Sequence, residues 1–175
     1  MKIGIFYNFV DEVERGFDYD KIAENEILAT VEYVREALAP YHTVIPVQIT
    51  RSKISQIMHY NFDLIFNLCE GIEGNVEGEA LMAAMLELIN IPYTGSNHFT
   101  LALCLDKVRT KLILQANYIL TPNFQLFLTS NDPLDNALKF PLIVKPVKED
   151  ASIGISTDSV VQDETLLRQR VRFVL

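Results

Sequence analysis

The chain has 175 residues, 49% of them apolar, and 23 acidic against 15 basic side chains give a net charge of -8. That composition supports a packed core rather than disorder, and the acidic balance argues against non-specific nucleic-acid binding, which draws on cations that neutralise phosphates. Two cysteines, Cys69 and Cys104, are too few to staple a secreted fold, no apolar run reaches the roughly 18 residues of a membrane helix, and the Met1–Tyr7 stretch is too short for a signal peptide, so a cytoplasmic protein of one or two domains is expected.

Lys2 to Asn8 is a short β-forming run and predicts a buried first strand. Residues 9–20 are polar and acidic and predict a loop. From Ile22 to Leu38 the apolar Ile27, Val31, Val34 and Leu38 recur at helical spacing, and Pro40 stops the helix. Thr43 to Ile49 predicts a second strand. Ser52 is a candidate N-cap for a short helix reaching Tyr60. Asp63 to Leu68 predicts a third strand, and Glu79 to Ile89 a helix with Met82, Met85, Leu86 and Ile89 on one stripe. Strands alternating with helices over short connections imply an α/β fold with a parallel sheet. Ligands in such sheets sit beyond the carboxyl ends of the strands, here the loops after Asn8 and Asn67.

A second region begins near Ser96. Ser96 or Asn97 can cap a helix through Cys104, and Asp106 another to about Asn117, before Thr121-Pro122. Phe124–Phe127, Phe140–Lys145 and Gly154–Val160 predict strands. No crossover helix separates the last two, so they are expected to pair antiparallel. Glu164 to Val174 predicts a closing helix that leaves Phe173, Val174 and Leu175 exposed.

Lys145 ends the apolar run Leu142-Ile143-Val144 and must either reach water or meet an anion. Lys107 stands at a predicted helix start, where its charge opposes the helix dipole; it is either a solvated first-turn lysine or the neighbour of an anion. Residues 148–154, Lys-Glu-Asp-Ala-Ser-Ile-Gly, form either a plain hairpin loop or a backbone cradle for phosphate. Glu70, Glu73, Glu77 and Glu79 follow the third strand. Glu79 suits the positive end of its helix, and Glu70 suits either a structural or a substrate-binding role. His42, His59 and His98 lack metal spacing, so no metal ligand is assigned, and Cys69 reads as a core thiol.

The run from Asn67-Leu68-Cys69-Glu70-Gly71 through Ile91-Pro92-Tyr93-Thr94-Gly95, then Leu105-Asp106-Lys107, then Leu142-Ile143-Val144-Lys145-Pro146 resembles the front half of a D-alanine–D-alanine ligase of the ATP-grasp superfamily. The likeness covers residues 60–160 well and the first 60 loosely. It implies a parallel-sheet pre-ATP-grasp (Rossmann-like) domain at 1–95 and a first, incomplete α+β lobe of the ATP-grasp domain at 96–175. It further implies an ATP- and magnesium-dependent carboxylate–amine ligase that works through an acylphosphate on small amino-acid-like substrates. The resemblance places Lys107, Lys145, Ser152 and Gly154 on the nucleotide, and Glu70 and a first-loop acid, Glu12 or Glu14, on substrate. Asp150 and Ala151 stand where the family has a glycine and a serine, which points to another substrate. The family's magnesium ligands, adenine-contacting strand and oxyanion arginine come later than Leu175, so the chain itself is expected to be inactive: a truncated form, a split gene product or a degraded species. The alternative is a non-catalytic binding or self-association module, with a homodimer covering an exposed apolar seam.

Overall fold

The structure is a computed structural model that describes residues 1–9, 20–150 and 152–175, with residues 20–25 described by backbone alone. Glu12, Glu14 and Ala151 lie outside the described residues. The chain divides into two compact units, Met1–Ala102 and Leu103–Leu175.

The first unit is built on a three-stranded parallel sheet. Strand β1 (Lys2–Tyr7) lies at its centre, between β2 (Thr43–Gln48) and β3 (Leu64–Leu68). Ile3 pairs with Val44 on one side and Leu64 on the other. A central strand is covered on both faces, so it reads as a continuous apolar run; Ile3, Gly4, Ile5 and Phe6 are all buried. Pro46, which has no amide hydrogen, is tolerated on β2 because that strand is an edge. Helix α1 (Asp20–Leu38) joins β1 to β2. Its Val31 is buried, with Ile27, Val34 and Leu38 half-buried, as the spacing predicts.

The connection from β2 to β3 differs from expectation. Ser52 does not cap a helix to Tyr60. Arg51–Lys53 form a 3-10 turn and helix α2 is a single turn, Ile54–Ile57. The Ser52 hydroxyl is instead engaged with Thr50 Oγ1 at 2.9 Å, leaving the backbone amides without a side-chain cap. Burial of Ile57 on the core side keeps this short helix in place.

Helix α3 (Gly78–Leu88) brings Met82 and Leu86 into one core cluster with Phe6, Ile57, Phe62 and Ile65, and buries Ala80 and Ala83 as well. Burial of each large side chain contributes about 1.5–3 kcal/mol. Asn90 ends the helix at φ +57°, and Ile91 N–H returns to Leu86 O at 3.2 Å, the left-handed terminator that asparagine tolerates. The chain then runs alongside β3 rather than simply turning away. Ile65 N–H donates to Pro92 O at 2.9 Å, and Thr94 N–H to Ile65 O at 3.0 Å.

Helix α4 (His98–Leu105) begins on a carboxylate from α3. Glu87 accepts from His98 N at 3.0 Å and from Tyr93 OH at 2.7 Å, and its other oxygen lies 2.6 Å from His98 Nδ1. The Tyr93 hydrogen bond, then the His98 amide, hold the Glu87 carboxyl down at about 2, below its ordinary 4.5. A carboxyl lowered in the folded state stabilises it fully above 4.5 and loses that contribution as pH falls toward 2. Glu87→Gln is therefore expected to flatten the acid-denaturation curve in that window, read by circular dichroism; an unchanged acid limb would remove this contact from the account.

The second unit carries helix α5 (Lys107–Ala116), a two-residue antiparallel ladder of β4 (Leu142–Ile143) with β5 (Val160–Val161), and helix α6 (Glu164–Val174). Val161, Leu167 and Val171 form its buried centre, flanked by Phe127, Leu134, Phe140, Leu142 and Val144. The three predicted strands are corrected here. Phe124–Phe127 forms no strand: Gln125 uses its side chain on Pro133 O and Asp135 N, each at 2.8 Å, which fixes the segment without a ladder. Phe140–Lys145 shrinks to Leu142–Ile143. Of Gly154–Val160 the strand keeps Val160, and the rest becomes a turn and a 3-10 segment, because Ser156 and Ser159 exchange backbone and side-chain hydrogen bonds in a capping box. The antiparallel pairing itself is present.

Candidate functional site

Two places hold the residues singled out above, one in each unit. In the first unit, Asn8 at the end of β1 is buried and its Oδ1 accepts from Glu70 N at 2.8 Å. That bond ties the carboxyl ends of β1 and β3, where a parallel sheet receives ligands. Glu70 itself is exposed. The loop then doubles back through Glu73 (φ +48°) and Gly74 (φ +75°), with Ile72 and Asn75 exchanging main-chain hydrogen bonds at 3.0 Å. Glu73 also accepts from Arg51 N at 2.9 Å. Where α3 begins, Gly78 lies against the backbone of Gly71 and Ile72. Burial, then the Glu79 charge, pushes the Cys69 thiol up to about 12, so Cys69 is an unreactive core thiol.

In the second unit, Asp106 is buried and caps α5, accepting from Val108 N at 3.1 Å and Arg109 N at 3.0 Å. The cap sets Lys107 as the first helical residue. Lys107 N–H donates to Val147 O at 3.1 Å, and its ammonium donates to Glu149 O. A half-buried lysine bound to the 147–149 backbone is not a freely solvated one. Burial, and with it the nearby Lys145 charge, lowers the Lys107 ammonium below its ordinary value, while Asp150, Glu149 and Asp106 oppose the shift. The two lysines thus stand within electrostatic reach of each other. Lys145 is one of four charges felt at Lys107, and the other three are the carboxylates of Asp150, Glu149 and Asp106.

In the 148–154 loop, Ser152 (φ +65°) and Gly154 (φ +71°) both adopt the left-handed conformation. Ile153 N–H donates to Asp150 O at 2.9 Å and Ile155 N–H to Ser152 O at 3.0 Å. Left-handed backbone at a serine costs about 1–2 kcal/mol, and such strain gathers at binding sites. Ser152→Gly is accordingly expected to raise stability by about 1 kcal/mol in urea denaturation; a loss of stability would contradict the strain.

Arg170 was not legible as part of this site. It comes from α6, is 8% exposed, and donates from Nη2 to Gly154 O at 2.6 Å. The sequence marks Asn8 as a strand end before a ligand-facing loop and gives no sign of its bond to Glu70. No group of three or more His, Cys, Asp or Glu side chains among the described residues could hold a metal ion. No helix among them is long and apolar enough to cross a membrane.

The fold and these motifs define an ATP-grasp ligase-like protein. The chain is similar to the D-alanine–D-alanine ligase of Aquifex aeolicus, 32% identical over 136 residues, which span 76% of this chain and 46% of the relative. It is also similar to D-alanine–D-alanine ligase B of Pseudomonas putida, 33% identical over 147 residues, or 82% of this chain and 45% of the relative. The crystal structure of the D-alanine–D-alanine ligase from Bacillus anthracis superposes with a TM-score of 0.65 at 25% identity, covering 97% of this chain and 52% of that one. No protein-family model matches the chain. The protein is D-alanine–D-alanine ligase-like, and it spans about half the length of the curated ligases it matches.

Proposed function

We propose that the chain is the N-terminal part of an ATP-dependent carboxylate–amine ligase, with residues 1–95 as the pre-ATP-grasp domain and 96–175 as the first lobe of the nucleotide-binding domain. The observation that carries this reading is the pair Lys107 and Lys145 beside the 148–154 loop. Two ammonium groups near one loop that carries Ser152 would suit a polyphosphate. When bound, ATP would supply the phosphoryl group that activates a carboxylate as an acylphosphate, and an amine would then displace phosphate. Lys107 and Lys145 would hold phosphate oxygens, and Ser152 and the Gly154 backbone would close on them. Magnesium would share the charge neutralisation. Glu70, beyond β3, would meet the amine of an amino-acid-like substrate.

The finer expectation is that the 175 residues alone bind MgATP weakly, through the lysine pair and the loop, and do not ligate. Calorimetric titration with MgATP tests the first part, with saturable binding expected and absence of heat counting against it. Amine-dependent phosphate release above that of Lys145→Ala would overturn the second. A second reading, self-association without catalysis, is favoured by the exposure of Phe173 (60%), Leu166 and Val160 on the second unit. Sedimentation as a concentration-independent monomer would dismiss it.

A further inference from the structure

We propose that Arg170 is a positioning residue for the 148–154 loop, holding the Gly154 turn in the shape presented to phosphate; the proposal rests on the nucleotide reading above. Arg170 shares its stretch of α6 with Leu167 and Val171, both buried in the apolar centre of the second unit. An aliphatic side chain would suit such a place without the cost of desolvating a guanidinium. The charge therefore needs a reason, and its geometry gives one. Nη2 donates to the Gly154 carbonyl at 2.6 Å, and the guanidinium stacks over the Phe173 ring at 4.4 Å. Both contacts fix the direction of the fork.

The residue it grips lies in a turn tied by main-chain hydrogen bonds from Ile153 to Asp150 and from Ile155 to Ser152. Gly154 is left-handed at φ +71°, and a Cβ there would lie 3.3 Å from Pro146 Cγ. Pro146 directly follows Lys145. Arg170 thus holds the turn at the Gly154 carbonyl, and Pro146 leaves little room for a side chain there. At its other end the loop is bound by Lys107 through Val147 O and Glu149 O. Ser152, in its strained conformation, lies between these two anchors. The Lys107 anchor is itself a proposed phosphate ligand; the Arg170 anchor spends its donor on the backbone, so it acts through the loop.

Amide hydrogen exchange and MgATP calorimetry on the full 175-residue chain separate these roles. In Arg170→Met, exchange at Ile153 and Ile155 is expected to rise about tenfold and MgATP to bind about fivefold more weakly, as a lost charge-assisted contact allows. Lys145→Ala is expected to weaken MgATP with exchange in the loop unchanged. Arg170→Lys, which keeps the charge but loses the fork, is expected to fall between, and it carries the comparison if Arg170→Met does not fold. Unchanged exchange at Ile153 and Ile155, or a rise shared equally by the whole of α6, would overturn the assignment. A wild-type chain that binds no MgATP would defeat the nucleotide reading itself, whereas MgATP binding with no loosening in Arg170→Met defeats the Arg170 role alone.

Discussion

Gly78→Ala is expected to destabilise the first unit by about 2–3 kcal/mol, the range for overpacking a site that cannot yield. A Cβ built at Gly78 would lie 2.5 Å from Ile72 N and 2.9 Å from Gly71 C. Both are backbone atoms, so no rotamer change relieves the clash. Gly78 opens α3, where the helix gains little from alanine, so that gain does not offset the clash. The loop after β3 would be pushed from the α3 start, and Glu70 with it. Thermal denaturation should register a fall of roughly 5–10 °C. Gly74→Ala is the informative comparison: nothing lies within 4 Å of its Cβ, but φ is +75°, so its cost is only the left-handed penalty of about 1–2 kcal/mol. Equal melting temperatures for Gly78→Ala and wild type would show that the close approach is not needed.

Lys145→Ala is expected to weaken MgATP binding by about 1.5–3 kcal/mol, the worth of a hydrogen bond to a charged group. Lys107→Ala should act in the same direction, with one difference that follows from the structure. The Lys107 ammonium already donates to Glu149 O, so its removal also loosens the loop. Lys145 is exposed, and its ammonium makes no hydrogen bond to another of the described residues. Lys139, whose ammonium donates to Asn136 O at 3.1 Å, is the control, and Lys139→Ala should leave affinity unchanged. Equal small losses in all three variants would reduce the effect to general electrostatics.

The first half of the fold was readable because its signals are local. A strand predicted at Lys2–Asn8 is found at Lys2–Tyr7, and one predicted at Asp63–Leu68 is found at Leu64–Leu68. Each is an apolar run bounded by polar residues, which suffices for a buried parallel strand. Two of the caps were readable for the same reason, Asp106 and Asn97 accepting from amides two or three residues on, while Ser52 shows that a capping residue type alone does not make a cap. The second unit was less readable. A ladder of two residues per strand carries no period, so Leu142–Ile143 could not be told from its flanks. The Ser156–Ser159 capping box was a missed local signal, a serine followed by a serine three residues later. Asn8 with Glu70 and Arg170 with Gly154 join positions 62 and 16 residues apart. Such contacts are set by the fold, and no nearby residue announces them. Lys107 and Lys145 were found through family resemblance; their periodicity and spacing alone left each with an ordinary surface role.

The central claim is that the Lys107–Lys145 pair receives the nucleotide phosphates. Acylation of lysine amines under native conditions, read residue by residue by mass spectrometry with and without MgATP, tests it most directly. A bound phosphate both covers an ammonium and favours its charged, unreactive form. The account predicts that MgATP slows modification of Lys107 and Lys145 together and leaves Lys53 and Lys139 unchanged. Saturating MgATP that protects neither lysine of the pair, or protects all four alike, would contradict it.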